Sequence, residues 1–292
     1  MSMLTEENIS QTTVSVVERL SAMLQKELTT SSRKRDYLDP SDPTIVTPDD
    51  RMLLVDWCYR VVDHCQFSRE SVASAMEMAD RFLSMPNNNM SAAAHEALHD
   101  RNKFQLLIVT ALYVSIKVNE RVPVSSGLFA EMCKHAYTEE DIENMELTLL
   151  SGLEWRCYAP TASQVGLSIL TLIMPYVNTS EATWSFLMDE MKYQTEHSIR
   201  DYYFSTQRPS TVALATLFNA MGQICSPERN EVLDFFLRII KFFDFDQPDQ
   251  VSKASKRLNC LLQDDNQEVV TEVSVRGRRI SLEVVPNKLS NI

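Results

Sequence analysis

Two charged side chains stand where the surrounding pattern asks for apolar ones. With helical residues spaced by about 100°, Lys117 lies about 20° from Leu106 and about 40° from Tyr113 around its helix. Glu146 falls between Ile142 and Leu153, on a face that also holds Leu149. An ionisable group in such a stripe is not left buried and unpaired, because removing a lone charge from water is too costly. Either the two form an internal ion pair, or the lysine stem lies along apolar surface with its head in water. The alternative is an interface, in which the two charges offer a donor and an acceptor to a partner's backbone. A different chemistry is spelled by His95-Glu96-Ala97-Leu98-His99, which fits HExxH: two histidines on one helix face around zinc, and a glutamate as general base. No Gly-x-x-His continues the motif, no strand precedes it, and nothing nearby supplies a third ligand, so a short solvated helical turn and no metal are expected.

Composition closes off further classes. Only 5 of the 292 residues are glycine, which nearly excludes glycine-rich phosphate loops, and abundant Leu, Met, Ala, Glu and Lys favour helices. A net charge of −12 argues against a sequence-independent grip on nucleic acid and suits a basic partner surface. The most apolar stretch, Phe104 to Ile116, is too short to cross a bilayer, and no apolar run follows a basic start. A soluble, intracellular protein is expected. The six cysteines include no CxxC pair, and Cys58, Cys65 and Cys157 lie among apolar neighbours, as reduced packing thiols do.

The elements that must position these residues follow from periodicity and capping. Thr13 to Leu28 has helical spacing in Val16, Val17, Leu20, Met23, Leu24 and Leu28, and should pack on the body of the protein. A polar linker, Thr29 to Thr47, follows. Thr47-Pro48-Asp49-Asp50 opens a helix bearing Leu54, Trp57, Val61 and Cys65, and a second helix runs from Ser68 to about Ser84. A loose stretch from Met85 to Arg101 leads to Asn102–Asn119, apolar on every side and therefore the buried hub of its domain. Ser125–Cys133 and Thr138–Leu153 complete a set of five. The pattern then begins again, with helices near 161–174, 180–204, 209–222, 227–243 and 248–263. Asp80-Arg81-Phe82-Leu83-Ser84 followed by Val109-Thr110-Ala111-Leu112 recurs as Asp201-Tyr202-Tyr203-Phe204-Ser205 followed by Val212-Ala213-Leu214-Ala215. The expected organisation is an N-terminal helix and linker (1–47), two tandem all-α units (48–157 and 158–263), and a tail (264–292) that is flexible or a small hairpin.

Several of these runs together resemble one family. Arg51-Met52-Leu53-Leu54-Val55-Asp56-Trp57 looks like the opening of the cyclin box, Asp80-Arg81-Phe82-Leu83-Ser84 like the end of its second helix, and Ser115-Ile116-Lys117-Val118-Asn119-Glu120 like its third. Asn144-Met145-Glu146 with Leu153 and Pro160-Thr161 is similar to its fifth helix and the passage into the second fold. The resemblance is good over about residues 48–165 and loose beyond, and it implies two five-helix cyclin folds. It further implies an internal ion pair between Arg51 and Asp80. Lys117 and Glu146, with Val118 and Glu120 beside them, would contact the mobile αC helix of a cyclin-dependent protein kinase, activating it with no cofactor and no catalytic residue of the chain's own. An exposed stripe of Leu53, Leu54, Trp57 and Gln105 would dock substrates or inhibitors bearing a basic-x-Leu motif. Asp50 and Arg60 depart from the family there, Arg60 repelling the ligand's basic residue, and inward packing of Leu54 and Trp57 is the alternative.

The ends carry shorter signals. Arg279, Leu282 and Asn287 fit RxxLxxxxN, the destruction signal of mitotic cyclins read by a ubiquitin ligase, and Ser281 follows two arginines as a basic-directed phosphosite would. Ser31-Ser32-Arg33-Lys34-Arg35 would assist nuclear import, giving a protein of nucleus and cytoplasm. The branch of the resemblance is the cell-cycle one. The alternatives are a cyclin-fold transcription factor, disfavoured by acidity and the lack of a zinc ribbon, and an HExxH metallopeptidase.

Overall fold

The computed structural model describes residues 6–31, 36–38, 45–85, 92–245 and 248–268. Twelve α-helices and no strand are found among them: α1 (Glu6–Ser31), α2 (Pro48–His64), α3 (Glu70–Leu83), α4 (Ala92–His99), α5 (Arg101–Asn119), α6 (Ser126–Met132), α7 (Glu139–Gly152), α8 (Ala162–Ile173), α9 (Glu181–Arg200), α10 (Pro209–Gln223), α11 (Ser226–Phe242) and α12 (Pro248–Glu268). Three helices open with reciprocal caps, α8 among them through Thr161 and Gln164. Thr47 and Asp50 exchange side-chain and backbone hydrogen bonds at the start of α2, and Thr138 and Asp141 do the same at α7.

The chain divides into two compact units. One takes the described residues of 33–159 together with 199–206, and holds the five expected helices α2, α3, α5, α6 and α7. Its centre is α5, in which every residue from Phe104 to Ile116 is buried. A helix with no polar face has no side to give to water, so the others wrap it. Between α3 and α5 the structure adds α4, where the sequence reads as a loose stretch with a solvated turn. Ala94, Ala97 and Leu98 of α4 are buried, and the Leu98 carbonyl accepts hydrogen bonds from the amides of Ile45 and Val46.

The other unit comprises the described residues of 1–32, 160–198 and 207–270, with α8 to α12 and α1. Val16, Leu20 and Met23 of α1 join a core with Ile169, Leu187, Leu217 and Phe236. Glu27 of α1 is buried, and its carboxylate accepts from the amide (2.9 Å) and hydroxyl (2.6 Å) of Ser210, satisfying the open N-terminus of α10. A polar ladder fixes α12: Asn219 bonds Gln194, the Ser255 hydroxyl and carbonyl, and Asn259. The helix expected at 180–204 ends at Arg200 and continues as a 3-10 turn, Tyr202–Thr206. The expected tail hairpin, Arg279, Ser281, Leu282, Asn287 and the basic run from Ser32 to Arg35 lie outside the described residues.

Candidate functional site

Lys117 stands on the last turn of α5, just past the buried run, and Glu146 in the middle of α7. The Lys117 ammonium donates to both carboxylate oxygens of Glu146, at 2.7 and 3.1 Å, and lies 4.8 Å from the centroid of the Tyr113 ring. The pair is open to water on one side, with the side chains 41% and 17% exposed. Partial burial works against the charged lysine, but the bond to Glu146 and the Tyr113 ring outweigh it and raise its pKa, so the ammonium stays charged.

Exposed apolar residues follow each charge in sequence, Val118 after Lys117 and Leu147 after Glu146, and two more follow α7. Val118, Leu147, Trp155 and Tyr158 are between 47% and 65% exposed. Val118 and Tyr158 share a notch of about 10 Å³ with Met78, Ser115 and Cys157. Trp155, Cys157 and Tyr158 carry no helical periodicity, since they follow the end of α7; the signal that could have found them is large apolar residues in a segment bounded by a proline. Glu120 works inward. Its Oε1 accepts from the Ser68 amide (2.8 Å) and the Ser71 hydroxyl (2.9 Å), so the residue caps the start of α3 rather than standing free beside Val118.

Arg51 and Asp80 are in contact and buried. Nε and Nη2 of Arg51 donate to the two oxygens of Asp80 at 3.0 and 2.7 Å, Nη1 donates to the Ile199 carbonyl, and the Tyr37 hydroxyl donates to Asp80 at 2.6 Å. Burial, then the Asp80 charge, pushes the Tyr37 pKa well up, so its hydroxyl remains a donor.

The four residues of the expected docking stripe do not share a surface. Leu54, Trp57 and Gln105 are buried and only Leu53 is open, because Leu54 and Trp57 point with Val61 into the core around α5. Asp50, unusual for the family, is explained by its two local tasks: it closes the cap with Thr47 and accepts from Nε of Arg101 at 3.0 Å. At HExxH the two imidazoles stack with centroids 4.2 Å apart, and Nδ1 of His99 lies 2.9 Å from the His95 carbonyl. Among the described residues no three His, Cys, Asp or Glu side chains gather as a metal would require, and no helix is long and apolar enough to cross a membrane.

The N-terminal domain of the cyclins matches residues 18–158. A putative cyclin-A3-1 of Arabidopsis thaliana is 27% identical over 185 residues, 63% of this chain and 48% of its own. A G2/mitotic-specific cyclin-B of Arbacia punctulata is 27% identical over 187 residues, 64% of this chain and 41% of its own. Over this domain the chain is a member of the cyclin family. It spans less than half the length of either of these cyclins. The X-ray structure of a viral cyclin from herpesvirus saimiri superposes with a TM-score of 0.56 at 13% identity, covering 83% of this chain and 97% of that one, which makes the two five-helix sets cyclin folds. Lys117, Glu146, Arg51 and Asp80 all lie inside the matched N-terminal domain.

Proposed function

We propose that this cyclin is the regulatory subunit of a cyclin-dependent serine/threonine kinase, which it binds and switches on to drive cell-cycle progression in nucleus and cytoplasm. The observation that carries the reading is the half-open Lys117–Glu146 pair, its lysine just past the buried run Phe104–Ile116 of α5 and next in sequence to Val118 of the notch. Stability gives little reason for such a pair, since exposed ion pairs contribute about 0–1 kcal/mol. Its hydrogen-bonding capacity is not used up: an ammonium has three donors and a carboxylate about four lone-pair positions. Lys117 and Glu146 are thus held ready to donate to and accept from the main chain of a kinase αC helix, while Val118, Leu147, Trp155 and Tyr158 supply apolar area.

Activation then needs no catalytic group in the cyclin. A surface that binds only the αC-in state favours it by its difference in affinity, and about 5.5 kcal/mol carries a two-state kinase from mostly off to mostly on. That is within reach of a standard interface of about 1,600 Å².

The test is affinity capture from native extract, followed by phosphorylation of a histone substrate with purified cyclin-dependent kinases. Lys117→Glu combined with Glu146→Lys keeps an internal pair and the thermal midpoint, but presents the wrong charge at each position, and should lose binding and activation. Full activation by the folded double variant removes the site assignment. Recovery of no kinase at all defeats the functional reading.

A further inference from the structure

Arg81 of α3 is a charged side chain largely withdrawn from water. Its side chain and that of Glu77, one turn earlier, are each only 10% exposed. At that depth a guanidinium and a carboxylate are best satisfied by closing a bidentate pair. These do not: their approach is 3.4 Å, and Arg81 Nε and Glu77 Oε2 each lack a hydrogen-bond partner. The shortest bond of the guanidinium, 2.6 Å from Nη2, goes instead to the main-chain carbonyl of Arg156. Unpartnered buried polar atoms are costly, so the geometry favours the carbonyl at the expense of the ion pair.

The segment that receives this bond needs holding. Beyond α7, Glu154 and Trp155 both take left-handed backbone, with φ of 52° and 59°, which residues with a Cβ adopt singly and at a cost. Their amides return to the Ser151 and Leu150 carbonyls, using the orphan acceptors at the end of α7. Past Arg156 the chain delivers Cys157 and Tyr158 to the notch with Val118.

We propose that Arg81 is a positioning residue for residues 154–158, fixing the orientation in which Trp155 and Tyr158 meet the kinase and thereby setting its affinity. The proposal rests on the kinase-binding reading. Arginine suits the task because a planar guanidinium can reach the carbonyl while lying beside the Glu77 charge, which a lysine ammonium does less well.

The full chain labelled with 5-fluorotryptophan tests this, since it reports Trp57, Trp155 and Trp184 separately and Trp155→Phe assigns the middle one. In Arg81→Met the Trp155 fluorine resonance should shift or broaden while those of the buried Trp57 and Trp184 stay in place. Affinity for a panel of purified cyclin-dependent kinases should fall about tenfold, as loss of a charge-assisted bond predicts. Arg81→Lys keeps one donor for the Arg156 carbonyl and should recover part of both effects; if Arg81→Met fails to fold, Arg81→Lys and Arg81→Gln carry the comparison. An unmoved Trp155 resonance overturns the proposal, and so does unchanged affinity beside a moved one. A wild-type chain that binds no kinase of the panel defeats the kinase reading instead, and the Trp155 resonance still decides whether Arg81 positions the segment.

Discussion

Arg51–Asp80 and Lys117–Glu146 are the same chemistry at two depths, and depth decides what each is for. Removing one partner of a buried pair strands a charge away from water, at about 3–5 kcal/mol. Arg51→Met should therefore lower the unfolding free energy by about that amount in urea titration, since it also orphans the Ile199 carbonyl and leaves Asp80 with only the Tyr37 hydroxyl. Lys117→Met should cost about 1 kcal/mol or less in the same titration, because its partner can be rehydrated. Its loss should appear in kinase affinity. Equal destabilisation by the two substitutions would contradict this separation of roles. Tyr37→Phe belongs with the first pair: it deletes a buried donor to Asp80 and should cost about 1–3 kcal/mol.

Helix packing is where small residues and caps become decisive. A Cβ on Gly152 of α7 would sit 2.5 Å from Cε2 of the Phe82 ring, which is itself fully buried. Gly152→Ala should therefore force α3 and α7 apart and cost about 1–3 kcal/mol by thermal unfolding, despite alanine's better helix propensity. Glu27→Ala should loosen α1 from its unit by leaving the Ser210 amide without its acceptor. Limited proteolysis would then cut within α1 before the remaining helices are attacked. These packed elements were largely legible in the amino-acid order, because Thr47 with Asp50 and Thr138 with Glu139 to Asp141 announce helix starts, and the unbroken apolar run of α5 announces a hub. The helix α4 was not, since its buried face consists of Ala94, Ala97 and one leucine, too small to stand out among the histidines and glutamate around them. The candidate site was legible where it lies on helices, at the paired Lys117 and Glu146. It was not where it depends on long-range placement: the Arg81 bond to Arg156, the turning inward of Glu120, and the burial of Leu54 and Trp57 depend on which residues meet across the fold.

For the molecule as a whole, folding hides acids that the unfolded chain would lose. Burial raises the thiol pKa of Cys58, and that of Cys133 from 9.0 to about 12; it also raises the hydroxyl pKa values of Tyr37 and Tyr137. Below pH 9 both states hold the thiol protons and stability is unaffected. Above it the unfolded chain releases them while the folded chain does not, so stability falls as pH rises, by about 1.4 kcal/mol per unit for each thiol. In denaturant titration under reducing conditions the two thiols should account for about 4 kcal/mol of the loss by pH 10.5, and Cys58→Ala with Cys133→Ala should flatten that slope. A last consequence comes from α5. A helix buried along its whole middle cannot open by peeling one face, so the amides of Leu107 to Leu112 should exchange with deuterium only when the entire unit unfolds, whereas those of the exposed last turn exchange more freely. Lys117 sits where that slow-exchanging stretch gives way to the freely exchanging one.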